Sequence, residues 1–192
     1  EIQENRYTDI LFSARDGYLI KKLYREAKKS LRLEELPDGI YFDASRIVCG
    51  RACIEDLKDM QWIMSPPFSC SGRQLLVDRF SLTEQEASDV YEESYDSVYD
   101  YVKAHQQKIY QKSEELRKNY LKYMKRIGLM ENGKYAFFDF VSCGTCQYFL
   151  GRIVPFRLEG LYCGSYNPVS GELRDIPMKA MYQNPDYNKK ET

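Results

Sequence analysis

Residues 135–147 read Tyr135-Ala-Phe-Phe-Asp-Phe-Val-Ser-Cys-Gly-Thr-Cys-Gln147, and the fold turns on this stretch. An apolar run carries one carboxylate, Asp139, at its end. A short polar loop, Ser142-Cys143-Gly144-Thr145, follows, and then an amphipathic stretch from Gln147 to Ile153. That order predicts a buried strand, a tight turn and a helix start. A turn lined by glycine and hydroxyls at a helix N-terminus aims several backbone N–H groups at one spot, which suits an anion. With a carboxylate beside it, the pair suits a phosphorylated sugar: loop to phosphate, Asp139 to hydroxyls or a metal ion. Read more plainly, the same residues only cap a helix.

Working outward, residues 8–13 read as a strand and 14–17 as a turn. The next helix is expected to put Leu19, Ile20, Leu23, Tyr24 and Ala27 on its buried face, with Lys21, Lys22, Lys28 and Lys29 outside. Residues 39–43 form a second strand, ending in the polar loop 44–46. Helices are expected over 53–64, stopped by Pro66-Pro67, and over 72–80. Thr83-x-x-Glu86 is a capping box, opening a helical tract to 127 that Gly128 closes, with a break in 106–113 because a single helix of that length is unusual. His105 lies near the apolar seam of this tract, as a packing residue. A further strand covers 158–163, residues 167–171 suggest a hairpin turn, and 184–192 are polar and loose.

Strands alternating with helices, with nearly continuous apolar runs in the strands, predict an α/β fold. The expectation is one α/β domain over 1–192, a mostly parallel Rossmann-like (phosphoribosyltransferase-like) sheet with a helical insertion at 53–128. Ligands of such sheets bind outside the carboxyl ends of the strands. Three polar loops, 13–17, 43–46 and 139–145, converge on that edge.

The composition narrows the function. Lys and Arg (28) nearly balance Asp and Glu (29), so no global basic field points to nucleic acid. No apolar run reaches the ~20 residues of a membrane span. No signal peptide is visible, and the start at Glu1, directly before the first strand, leads us to expect a fragment of a longer multidomain protein. Cys143-Gly-Thr-Cys146 matches C-x-x-C, but a structural zinc site needs about four ligands and His105 is the only histidine. Reduced cysteines in a cytoplasmic protein are the expectation.

The loop Ser13-Ala-Arg-Asp-Gly-Tyr18 resembles the first motif of haloacid-dehalogenase (HAD) phosphatases, Asp-x-Asp-Gly-Thr after an apolar strand. Ala14 occupies the position of their nucleophile and Tyr18 that of the threonine, so this loop offers no attacking carboxylate. A wider resemblance spans nearly the whole chain. The order Ser-Ala-Arg-Asp-Gly-Tyr-Leu (13–19), Tyr-Phe-Asp-Ala-Ser-Arg (41–46), Arg79-Phe80 and Phe-Asp-Phe-Val-Ser-Cys-Gly-Thr-Cys-Gln (138–147) resembles a module of bacterial surface-polysaccharide biosynthesis proteins. Related modules are phosphoribosyltransferase-like glycosyltransferases.

This resemblance implies transfer of a phosphorylated pentose from a diphosphate donor to a glycan acceptor, in capsule or O-antigen synthesis. It also implies an upstream HAD-like or glycosyltransferase domain. Arg15, Asp16 and Asp139 would be catalytic. Gly17, Ser45, Arg46, Ser142, Gly144 and Thr145 would bind substrate, and Asp139 would hold Mg2+. The chain departs from the family at Phe138, which stands at the first of two acidic positions, and its loop is one glycine shorter. Two rivals stand beside this reading: a non-catalytic sugar-phosphate-binding or scaffold module, and a HAD-like hydrolase whose carboxylate lies outside the first loop.

Overall fold

The computed structural model describes residues 2–88, 92–166 and 176–184. The chain divides into two compact units, residues 1–46 with 128–192, and residues 47–127.

The first unit is α/β. A short α1 (Ile2–Asn5) precedes β1 (Asp9–Ser13), α2 (Gly17–Ser30) and β2 (Gly39–Phe42); the chain re-enters the unit with β3 (Lys134–Ser142). From the second unit come α3 (Arg46–Arg51), α4 (Leu57–Met64), α5 (Gly72–Phe80), α6 (Glu84–Ala87), α7 (Val98–Ala104) and α8 (Gln106–Arg126). The first unit then continues through α9 (Thr145–Ile153), β4 (Arg157–Tyr166) and β5 (Met178–Asn184). The five strands form one wholly parallel sheet in the order β2-β1-β3-β4-β5, a doubly wound Rossmann-like arrangement.

Side-chain alternation tells which helix covers which face. Ile10, Phe12 and Ala136 pack with Ile20 and Tyr24 of α2 and with Phe138 and Leu161. On the other face, Tyr162 of β4 donates a hydrogen bond to Gln147 Oε1 of α9. The chain therefore leaves β1 toward β2 over one face and returns through β3 with α9 on the opposite face. The strand order reverses between β1 and β3, and a crevice opens at such a point.

Several expectations are corrected. β3 does not end at Asp139 but runs to Ser142, because β4 continues to pair with it through Ser165 after β1 has stopped. A fifth strand, β5, has no counterpart in the sequence reading. In α2, Leu19 and Leu23 are 60% and 57% exposed, while Lys21 and Lys28 are partly covered. The helix is rotated from the expected phase because Gly17 abuts β1: a Cβ there would lie 2.7 Å from the carbonyl carbon of Phe12. Gly17, Ile20 and Tyr24 consequently face the sheet, and the Tyr24 hydroxyl donates to Pro37 O at 2.8 Å.

The helical unit also departs from expectation. The Thr83/Glu86 capping box forms, yet its helix ends at Ala87; a 3-10 turn (Glu92–Ser94), α7 and α8 replace one long tract. The tract is interrupted between Ala87 and Val98, well before the expected window, and again at His105, just before it. The helix expected from 53 starts at Leu57, where Asp56 caps it by accepting from Asp59 N, and α3 was not anticipated. Met60, Leu75, Leu76, Phe80, Tyr101 and Val102 build the core of this unit. His105 is 2% exposed and packs there, with Nδ1 2.9 Å from Tyr101 O, although its Nε2 lacks a partner among the described residues. Residues 167–171, 185–192, Val90 and Tyr91 lie outside the described residues.

Candidate functional site

The carboxyl ends of β1 and β3 meet at the point of strand-order reversal, and Asp139 stands there. Phe12 pairs with Phe138, so Asp139 is the first β3 residue beyond the β1 ladder. Alternation points Phe138 and Asp139 to opposite faces. Phe138 packs against Phe12 with ring centroids 5.5 Å apart, which accounts for an aromatic residue where the resembling family has an acid: this position is core. Asp139 instead faces the α9 side, opposite Tyr162 in the β4 register.

The Asp139 carboxylate accepts a hydrogen bond from Phe140 N at 2.8 Å. Its pKa is nevertheless raised: burial penalises the charge, and nearby Asp16 adds to the rise, against the Phe140 amide and Arg46, which lower it. Asp139 thus feels the charges of Asp16 and Arg46, which come from the connections after β1 and β2. Tyr162 is raised well above its usual range, first by burial and then by Asp139, Cys146 and Cys143. Its hydroxyl donates to Gln147 Oε1 at 2.9 Å, and Gln147 Nε2 donates to Pro177 O at 2.8 Å. Tyr162 and Gln147 were absent from the sequence reading; only strand register places them beside Asp139.

Other expected residues have different surroundings. Arg15 and Asp16 are exposed at the end of β1; the Ala14–Arg15 peptide is cis, and Asp16 precedes α2 without a side-chain cap. Gly17 is expected to admit a ligand, but its bare Cα faces Phe12 and serves helix–strand packing. Ser45 and Arg46 are exposed at the start of α3.

The turn after β3 lies three residues past Asp139, about 10 Å along the strand. The Ser142 hydroxyl accepts from Gly144 N at 3.1 Å, and Thr145 Oγ1 is 3.1 Å from Cys143 Sγ. These side chains shape the turn rather than point into the crevice. Gly144 adopts φ 88°, and Ile176 and Met178 crowd the position of a Cβ there. What the turn can offer a ligand is the first amides of α9, a nine-residue helix whose N-cap, Gly144, brings no side-chain bond.

None of the six cysteines forms a disulfide. Among the described residues no cluster of three or more His, Cys, Asp or Glu side chains could hold a metal ion. A hard divalent cation needs fewer protein ligands when phosphates and water complete its shell. Asp139, with the charge of Asp16 acting on it, is the carboxylate such an ion would use. No helix among the described residues is long and apolar enough to cross a membrane. Comparison with models of known protein families and with curated proteins gave no match.

Proposed function

We propose that the crevice between β1 and β3 binds a phosphorylated pentose carrying a diphosphate and transfers the sugar to an acceptor hydroxyl, as the sequence resemblance implies. One observation carries the reading. A half-buried carboxylate with raised pKa stands at the reversal of strand order, within electrostatic reach of a second carboxylate and a guanidinium. A perturbed acid in a cleft at such a switch point is a candidate for a working site. Positive charge delivered by a ligand, whether a metal ion or a sugar carbon turning cationic, would draw Asp139 back to its charged form.

In this mechanism Asp139 holds the sugar hydroxyls near the breaking bond. The C1–O bond to diphosphate breaks, the electron pair leaves with the diphosphate, and an acceptor oxygen bonds to C1. Asp16 accepts the proton that the acceptor hydroxyl gives up. Arg15 and Arg46 compensate the charge of the departing diphosphate. The first amides of α9 take the 5-phosphate; a pentose 5-phosphate with a hydrogen bond of about 3 Å at each end covers a gap of the size separating them from Asp139. Mg2+, held by Asp139, would neutralise the diphosphate when bound.

The test is release of pyrophosphate from phosphoribosyl pyrophosphate with Mg2+, with and without a panel of glycan acceptors. Acceptor-dependent release supports transfer. Binding of the donor by calorimetry with no release under any acceptor favours the non-catalytic module, a reading supported by the self-satisfied Ser142–Thr145 turn. Phosphate release from a simple ester in the absence of any acceptor would favour a hydrolase.

A further inference from the structure

β2 is an edge of the sheet, and its outer side is open. Ile10 N donates to Asp38 O and Ala14 N to Phe42 O, so alternate peptide groups from Asp38 to Phe42 face β1. The peptide groups of Gly39 and Tyr41 therefore face outward. Among the described residues nothing pairs with them. An open edge usually invites another strand, and proteins guard such edges with charge.

The charge here is of one sign. Two adjoining depressions of about 230 and 330 Å³ flank this edge and share Lys21 and Arg25 of α2. Tyr18, Lys22 and Tyr41 complete the first, and Lys28 and Gly39 help line the second. The Tyr18 and Tyr41 rings meet edge to face at 5.8 Å, and Lys22 Nζ is 4.4 Å from the Tyr18 ring centre. Among the described carboxylates only Asp38 lines the groove, pairing with Lys28 at 2.7 Å. Arg25 pairs with its neighbour Glu26 at 3.3 Å, and both of those side chains stay largely exposed. Against a chain whose net charge is −1, a groove with four cations and one acid is a local concentration of positive charge.

We infer that the groove between α2 and β2 receives an extended, acidic peptide segment of a partner protein, which adds a sixth strand to the sheet at β2. Gly39 and Tyr41 would supply the backbone pairing. Every second side chain of such a strand would lie toward α2, within reach of Lys21, Lys22 and Arg25. The two tyrosines floor the end nearest the carboxyl edge. A second copy of this chain is disfavoured, since two such edges would bring like charges together.

The probe is a fluorescein-labelled (Thr-Glu)4 peptide added to the full chain. Three controls accompany it: (Thr-Lys)4, a (Thr-Glu)4 peptide N-methylated at alternate residues, and heparin. The expected result is saturable binding of (Thr-Glu)4 alone, weakened roughly tenfold or more in Lys21→Glu/Arg25→Glu, with the Gly39 and Tyr41 amides protected from hydrogen exchange. Both substituted side chains lie on the surface of α2, and an unchanged melting curve verifies the variant's fold. Absence of binding up to about 1 mM peptide overturns the inference. Equal binding of the N-methylated peptide or of heparin overturns it in favour of a generic anion patch. Sedimentation showing a concentration-dependent dimer with β2 protected overturns it in favour of a second copy.

Discussion

Asp139 and Tyr162 stand on one rung of the β3–β4 ladder, yet the Tyr162 hydroxyl gives its hydrogen bond to Gln147 Oε1 and not to the carboxylate. Asp139 instead accepts a hydrogen bond from the Phe140 amide, while burial and the charge of Asp16 hold its pKa up. A carboxylate held this way weakens the fold in its charged form, and that cost is what a cationic ligand would relieve.

The cost is measurable through pH. Burial, with Asp16, raises the Asp139 pKa above the ordinary 3.8. An acid raised on folding favours its neutral form, so its stabilising contribution is present below the unfolded pKa and is lost as pH rises through the folded value. Asp139→Asn keeps an acceptor for the Phe140 amide and never acquires the charge. The variant should melt above wild type at pH 7, with the gain shrinking toward zero near pH 3. Equal Tm differences at both pH values would remove Asp139 from the role of a strained acid.

If the crevice transfers a sugar, loss of the Asp139 carboxylate must harm activity even in the asparagine variant that gains stability. Asp139→Ala, Arg15→Ala and Arg46→Ala should each lower acceptor-dependent pyrophosphate release by ~10² or more, and Arg46→Lys should recover little if the contact is bidentate. Calorimetry on the same variants separates donor binding from chemistry. Turnover within a fewfold of wild type in any one variant would withdraw the role assigned to that residue.

Local patterns carried the strands and failed at phase and length. β1 to β4 were readable because each is a compact apolar run between turn residues, and α5 because Ser71 and Ser81 bracket it. β5 reads Met-Lys-Ala-Met-Tyr-Gln-Asn; it lies on the other edge of the sheet with Met181 90% exposed, so no buried run announces it. The tract from Thr83 was read as helical to 127 with its break at 106–113, although Ser97-x-x-Asp100 spells a second start, which Ser97 caps by accepting from Asp100 N. In α2 the leucine spacing suggested one face and the Gly17–Phe12 contact dictated another. The candidate site follows the same division. Asp139 and the loops after β1 and β2 could be placed from alternation alone, whereas Tyr162 and Gln147 depend on a register no local motif encodes.

Arg79 shows how a residue that stands out in sequence can serve structure. Its guanidinium donates to the carbonyls of Ile63, Met64, Pro66 and Pro67 at 2.8–3.1 Å, closing the end of α4 and the proline turn beyond it. Arg51 in turn donates to the carbonyls of Asp78 and Arg79 at the end of α5. Carbonyls at a helix end need partners, and a lysine ammonium cannot reproduce a planar fork. Arg79→Lys should cost about 2 kcal/mol and Arg79→Met about 3 kcal/mol in urea unfolding. A loss below about 0.5 kcal/mol for both would show that water replaces these bonds without penalty.

Two glycines with nearly equal backbone angles separate conformational from steric cost. Gly128 has φ 87° and Gly144 φ 88°, so alanine pays the same left-handed penalty of about 1–2 kcal/mol at each. A Cβ at Gly128 would meet nothing within 4 Å, whereas at Gly144 it would collide with Ile176 and approach Met178 Sδ at 3.6 Å. Gly144→Ala should therefore lose about 1–3 kcal/mol more than Gly128→Ala through overpacking. Adding Ile176→Ala to Gly144→Ala removes the colliding side chain and should recover part of that excess, although the truncation carries its own loss. A double-mutant cycle isolates the coupling between the two positions. Additive losses, with no coupling, would mean that the turn after β3 does not rest on Ile176 in solution, and would leave its amides more accessible to a phosphate than the packing at Gly144 allows.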